Sequence, residues 1–155
     1  PSIKTKATGW YNGGTEVIFS CGGQICNSIF AAASDTKKKV IGVDSDQQSQ
    51  SDTVITSAMK NVKQTVSDEI TKVYNKSFKG GAYLLDASGN YVGLSPDFSR
   101  LKKFKKADYD KIFKKVKDNK VKIITATDET ASKGDPTKTK KLKKKLTNVK
   151  VSYEG

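Results

Sequence analysis

Short apolar runs alternate with stretches of helical period along the first part of the chain, and this alternation constrains the fold more than any other feature. Ile3, Ala7, Trp10 and Tyr11 recur at the spacing of one helix face. Asn12-Gly13-Gly14 ends that helix, because glycine accepts the left-handed backbone of a helix C-terminus. Residues 15–20 read as a short buried strand, and Gly22-Gly23 turns the chain. Ile25, Ile29, Phe30 and Ala33 then mark a second helix. A second apolar strand, residues 40–43, ends at Asp44, and a polar loop leads to a third strand at 53–56. Helices between successive strands imply crossover connections and parallel pairing, so the class is α/β.

Further along, Met59, Val62, Val66, Ile70 and Val73 line one face of a helix expected over residues 58–76, broken by Lys79-Gly80-Gly81. Residues 82–85 and 91–94 read as strands around an Asp86-Ala87-Ser88-Gly89 turn. Tyr109, Ile112, Phe113 and Val116 give another helical stripe, and residues 121–124 a short strand. Residues 130–139 read as a loop, and Leu142 and Leu146 support at most a short helix. The 155 residues suffice for one core-forming domain. No apolar run approaches the ~20 residues of a membrane-spanning helix. No charged-then-apolar leader follows Pro1, so a signal peptide or lipid-anchor cysteine is expected to have been removed or to lie outside this chain.

Side-chain chemistry narrows the function. The sequence holds no histidine, which excludes Ser-His-Asp and Cys-His nucleophile pairs and histidine metal sites. Cys21 and Cys26 lack CxxC spacing and further partners, so neither a zinc site nor a redox motif is present; they read as small half-buried residues at a strand end and on a helix. No metal, cofactor or catalytic residue is expected, and the chain does not read as an enzyme. Lys+Arg number 29 against 16 Asp+Glu, a formal net charge of +13, with most of the excess after Arg100. Such a face is either simply solvated or attracts an anionic polymer. Arg100 is the only arginine, and the aromatics of this part sit at core-like spacing, so no nucleic-acid partner is expected.

In an open parallel sheet, ligands bind beyond the carboxyl ends of the strands. Gly22 and Gly23 follow the first strand and precede a helix, where a ligand can approach backbone amides. Asp44 ends the second strand, and Lys60 is expected in the first turn of the helix after the third. A carboxylate there can accept two hydrogen bonds from neighbouring sugar hydroxyls, each contributing about 1.5–3 kcal/mol, and an ammonium supplies further donors. The same residues also serve as a tight turn, a helix cap and a solvated charge, and spacing alone leaves both readings open.

Val17-Ile18-Phe19 with Gly22-Gly23, the run Val40-Ile41-Gly42-Val43-Asp44-Ser45-Asp46-Gln47, and Thr56-Ser57-Ala58-Met59-Lys60 resemble the basic membrane protein family. Trp10-Tyr11-Asn12-Gly13-Gly14, Gly80-Gly81 and Val92-Gly93-Leu94-Ser95 follow the same order. The resemblance covers about residues 1–127. It implies a purine-nucleoside-binding lipoprotein that feeds an ABC importer, extracytoplasmic and membrane-anchored, on a three-layer type I periplasmic-binding-protein fold. It further implies that Asp44 grips the ribose hydroxyls, with Gly22 or Gly23 and Lys60 as further contacts. On this frame residues 1–57 form the core of the second lobe, and 58–88 a segment that normally completes the first. Residues 89–127 return to the second lobe, and 128–155 are a lysine-rich extension outside the resemblance. The preceding lobe, with its base-reading groups, is not in this sequence, so its ligand site is expected to be incomplete. The expected partners are a nucleoside or related sugar-containing molecule, an ABC permease and the missing N-terminal half. The alternatives are a ligand-sensing receptor domain of the same fold, or a basic surface protein that binds anionic polymers.

Overall fold

The computed structural model describes residues 2–121 and residue 123. The chain divides into two compact units, Pro1–Asp118 and Asn119–Gly155, and all the elements below belong to the first. Helix α1 (Ser2–Asn12) buries Ala7 and Tyr11 on the face set by their i, i+4 spacing. It closes at Gly13-Gly14, where Gly14 has φ 103° and Thr15 N donates to the Trp10 carbonyl. Strand β1 (Val17–Phe19) follows, then a tight turn of 3-10 helix at Gly23–Ile25 and helix α2 (Cys26–Thr36). Strand β2 (Lys39–Asp44) pairs in parallel with β1 and with strand β3 (Val54–Lys60). Helix α3 (Val62–Tyr74) follows, and strand β4 (Val92–Leu94) pairs antiparallel with β3. Helix α4 (Lys106–Lys117) ends the unit. The sheet order is β1-β2-β3-β4.

One core joins α1 and α2 to the sheet. Tyr11, Ile29, Phe30, Val40 and Val54 are buried together, with Ala32 and Ala33 letting backbones approach closely. The Tyr11 hydroxyl spans the layers and donates to the Lys39 carbonyl at 2.9 Å. Buried polar groups tie the loops at the other end. The Ser95 hydroxyl lies 2.8 Å from Asp46 Oδ2 and 2.9 Å from Gln48 Oε1. At the same end as Lys39, Arg100 Nη1 donates to the Ser51 and Val54 carbonyls at 2.9 and 2.8 Å, where Val54 pairs with Val40.

Several sequence expectations are corrected. The third strand does not stop at Thr56. It runs to Lys60, because Ala58, Met59 and Lys60 pair with β2 or β4 or both, and this ladder overrides the helical preference of Ala, Met and Lys. The following helix therefore starts at Val62, with the Asn61 side chain accepting from Gln64 N at 3.1 Å. Residues 82–85 form no strand; they precede a 3-10 turn at Ala87–Gly89 that Asp86 caps. The first strand is not buried: Val17 and Phe19 are exposed, since β1 is an edge strand whose Ile18 alone packs on the core. Cys21 is exposed and Cys26 is buried, so neither is half-buried; Cys26 faces the core and its thiol donates to the Ser20 carbonyl at 3.3 Å. Of the strand expected at 121–124, Val121 and Ile123 are not in strand, and the other two residues lie outside the described residues. The loop and short helix expected beyond residue 130, and the lysine-rich extension, also lie outside them.

Candidate functional site

Parallel pairing aligns the carboxyl ends of β1, β2 and β3 on one edge, so the turns that follow them share a rim. Asp44 is the last residue of β2 and pairs with Met59, which puts Lys60 one step further along the neighbouring strand. The Lys60 ammonium donates to Asp44 Oδ1 at 2.7 Å. Lys60 thus stands on the rim as the last residue of a strand rather than in the first turn of a helix. The hydrogen bond to Asp44, then the Asp44 charge itself, hold the Lys60 ammonium above its ordinary pKa against a small cost of burial, with Cys21 adding to the rise. Both side chains are about half-exposed or more, so the pair orients the carboxylate more than it stabilises the fold.

Two hollows flank this pair. The larger, of about 500 Å³, is lined by Asp44, Ser45, Lys60, Asn61, Asn90 and Gly93 among others. The smaller, of about 280 Å³, is walled by Gly23, Gln24, Asn27, Asp44, Ser45 and Gln47. Asp44 and Ser45 belong to both. The larger volume lies in the range of small-molecule sites.

The two glycines play different parts. Gly23 has φ 62° and lines the smaller hollow with Asp44. Gly22 does not line it; a Cβ there would meet the Ile25 side chain, which would have to swing aside. The structure therefore brings Gly23, Asp44 and Lys60 onto one rim, while Gly22 lines neither hollow. Ser45, Asn61 and Asn90 were not anticipated. The signal for Asn61 was present: Asn-x-x-Gln at 61–64 is a helix-start pattern, and it would have moved the helix start past Lys60. Asn90, with φ 60°, is held beside it by the Asn61 side-chain amide, which donates to the Asn90 carbonyl at 3.3 Å. Among the described residues no group of acidic, cysteine or histidine side chains is arranged to hold a metal ion, and no helix is long and apolar enough to cross a membrane.

Known proteins resemble this chain in sequence and in fold. A "CD4+ T-cell-stimulating antigen" of Listeria monocytogenes is 31% identical over 137 residues, which cover 76% of this chain and 38% of that protein. An ABC transporter solute-binding protein from Aeropyrum pernix superposes with a TM-score of 0.67 at 21% identity, over 82% of this chain and 45% of that one. A transcriptional activator of the comK gene from Bacillus halodurans superposes with a TM-score of 0.60 at 15% identity, over 74% and 40%. The chain thus spans less than half the length of each of these three proteins. The α/β architecture with a mainly parallel sheet is that of the periplasmic-binding-protein-like solute receptors. Residues 2–130 match the family of PnrA-like ABC transporter substrate-binding proteins, and the chain belongs to that family.

Proposed function

We propose that this chain supplies one lobe's share of a purine-nucleoside site in the solute receptor of an ABC importer. The observation that carries this reading is the Asp44–Lys60 pair at the carboxyl rim, with Gly23 in the wall beside it. Asp44 keeps its second carboxylate oxygen for neighbouring hydroxyls of a ribose, while Lys60 holds the first. The Gly23 turn lets the sugar come close to the backbone. A second lobe closing over the rim excludes water from these contacts and strengthens them. In this reading the receptor is an extracytoplasmic lipoprotein that hands its ligand to a permease and carries out no chemistry. The family match favours it over a sensory or polymer-binding role.

A complementary lobe also accounts for surface that is otherwise unfavourable. Val62, Val66, Ile70 and Val73 of α3 are all exposed, as are Phe78, Tyr83 and Leu84 after it. The four α3 residues recur at i, i+4, i+8 and i+11 and so share one helix face, and an exposed apolar face marks an interaction surface. Among the described residues β1 pairs only with β2, and β4 only with β3.

The test is a thermal-shift screen of the complete gene product against ribonucleosides, their 2′-deoxy forms and simple sugars. A bound ligand stabilises in proportion to the logarithm of its concentration over Kd. Stabilisation by a ribonucleoside well beyond its 2′-deoxy form is the expected result. Equal shifts for both, or none, would remove the ribose from the site. The chain alone is expected to bind nucleosides weakly, and strong binding by it would contradict the need for a second lobe.

A further inference from the structure

Asp44 adopts φ 68°, in the left-handed region that non-glycine residues seldom enter. Its carboxylate does not hold that conformation, because its ion-pair partner is Lys60 on the neighbouring strand. The turn is held instead from behind. The Val43 amide donates to Gln47 Oε1 at 2.9 Å, and the Ser45 amide to the Val43 carbonyl at 2.8 Å. The Gln47 amide in turn donates to Ser57 Oγ at 3.0 Å, and Ser57 is fully buried on β3. Gly42 leaves the space this needs: a Cβ there would stand 2.6 Å from both Gln47 Oε1 and Ser57 Oγ. The three groups come from β2, from the loop after it and from β3, and they meet only when the strands are in register.

We propose that Gln47 is a positioning residue for the Asp44 carboxylate: braced by Ser57 and accommodated by Gly42, it locks the turn that sets Asp44 on the rim beside Lys60. Gln47 carries no ligand contact in this role. Its side-chain carbonyl replaces the backbone partner that the Val43 amide loses where the strand turns. A carboxylate fixed before a ligand arrives has less freedom to lose on binding. That consequence for affinity rests on the nucleoside reading above; the locking of the turn does not.

The test has two arms. In the first, the side-chain ammonium of Lys60 is titrated by NMR in this chain, with no ligand present. Asp44 is the main cause of the raised Lys60 pKa, with Cys21 a lesser one, so displacing the carboxylate lowers the value. Gln47→Met keeps the length and removes the acceptor, and Ser57→Ala removes the brace. Both are expected to bring Lys60 down toward the ordinary lysine value, whereas Tyr11→Phe, a change in the distant core, leaves it unmoved. Should Gln47→Met fail to fold, Ser57→Ala decides. A Lys60 titration unchanged in the folded variants, or lowered equally by Tyr11→Phe, overturns the proposal. In the second arm, guanosine and 2′-deoxyguanosine are titrated into the complete gene product. Gln47→Met is expected to weaken guanosine about tenfold and the deoxy form less, as for one weakened charge-assisted hydrogen bond. If the unaltered product binds neither nucleoside, the proposed function falls, and the first arm still judges the role of Gln47.

Discussion

Tyr11 gives a stability prediction with a defined pH dependence. It is 2% exposed, and its hydroxyl donates to the Lys39 carbonyl at 2.9 Å, joining α1 to the start of β2. Burial pushes its pKa up to about 12, partly opposed by a backbone hydrogen bond at Ile18. In the unfolded chain the phenol titrates near 10. A group whose folded pKa is raised gives its full stabilisation below the unfolded pKa and loses it as pH climbs through the folded one. From pH 10 to 12 the folded state therefore loses about 1.4 kcal/mol per pH unit relative to the unfolded chain, or about 2.7 kcal/mol in all. Tyr11→Phe removes this titration and the hydrogen bond, costing about 1–2 kcal/mol at pH 7. In urea unfolding of the two proteins, the native chain is more stable at pH 7 and the difference closes near pH 11. Lysines titrate in the same range, but they do so in both proteins and cancel in the comparison. A difference that stays the same from pH 7 to pH 11 would refute the argument.

Two further predictions concern the fold away from the rim. Arg100→Met, which removes the donors to the Ser51 and Val54 carbonyls, is expected to cost about 2 kcal/mol in urea unfolding, and Arg100→Lys to recover only part of it, since an ammonium does not reproduce the planar fork. Val66→Lys with Ile70→Glu is expected to shift the stability of this chain by less than about 1 kcal/mol, because both side chains are half-exposed, and to lower its binding of a hydrophobic dye. In the complete gene product the same pair is expected to destabilise by several times as much, and equal effects in both would argue against a covering lobe.

The alternation of apolar runs was enough to show the parallel strands β1 to β3 and the helices α1 and α2. Those helices bury a face, so their sequence carries the period of the contact. The sequence misled where pairing overrode propensity. Ala58-Met59-Lys60 favours helix in isolation, yet it sits between β2 and β4 and extends the strand. Residues 15–20 read as a buried strand, yet in β1 only Ile18 packs inward. On the rim, Asp44 was visible as the residue that ends one strand and Gly23 as part of the turn that follows another. Lys60 was placed near the rim for a partly wrong reason. Gln47 and Ser57 were invisible, because a hydrogen bond between a loop amide and a buried hydroxyl ten residues away leaves no periodic trace. Lys106–Asp110 and Lys114–Asp118 pair along α4, so part of the basic excess is matched locally, as ordinary i, i+4 spacing allows.

Calorimetric titration of guanosine and 2′-deoxyguanosine into the complete gene product and its Asp44→Asn variant bears most directly on the carboxylate at the sheet edge. The unaltered receptor should prefer the ribose form by about tenfold or more, and the amide should erase most of that preference, since an uncharged acceptor loses the charge-assisted part of each bond. An Asp44→Asn protein that binds guanosine as tightly and as selectively as the original would contradict the account.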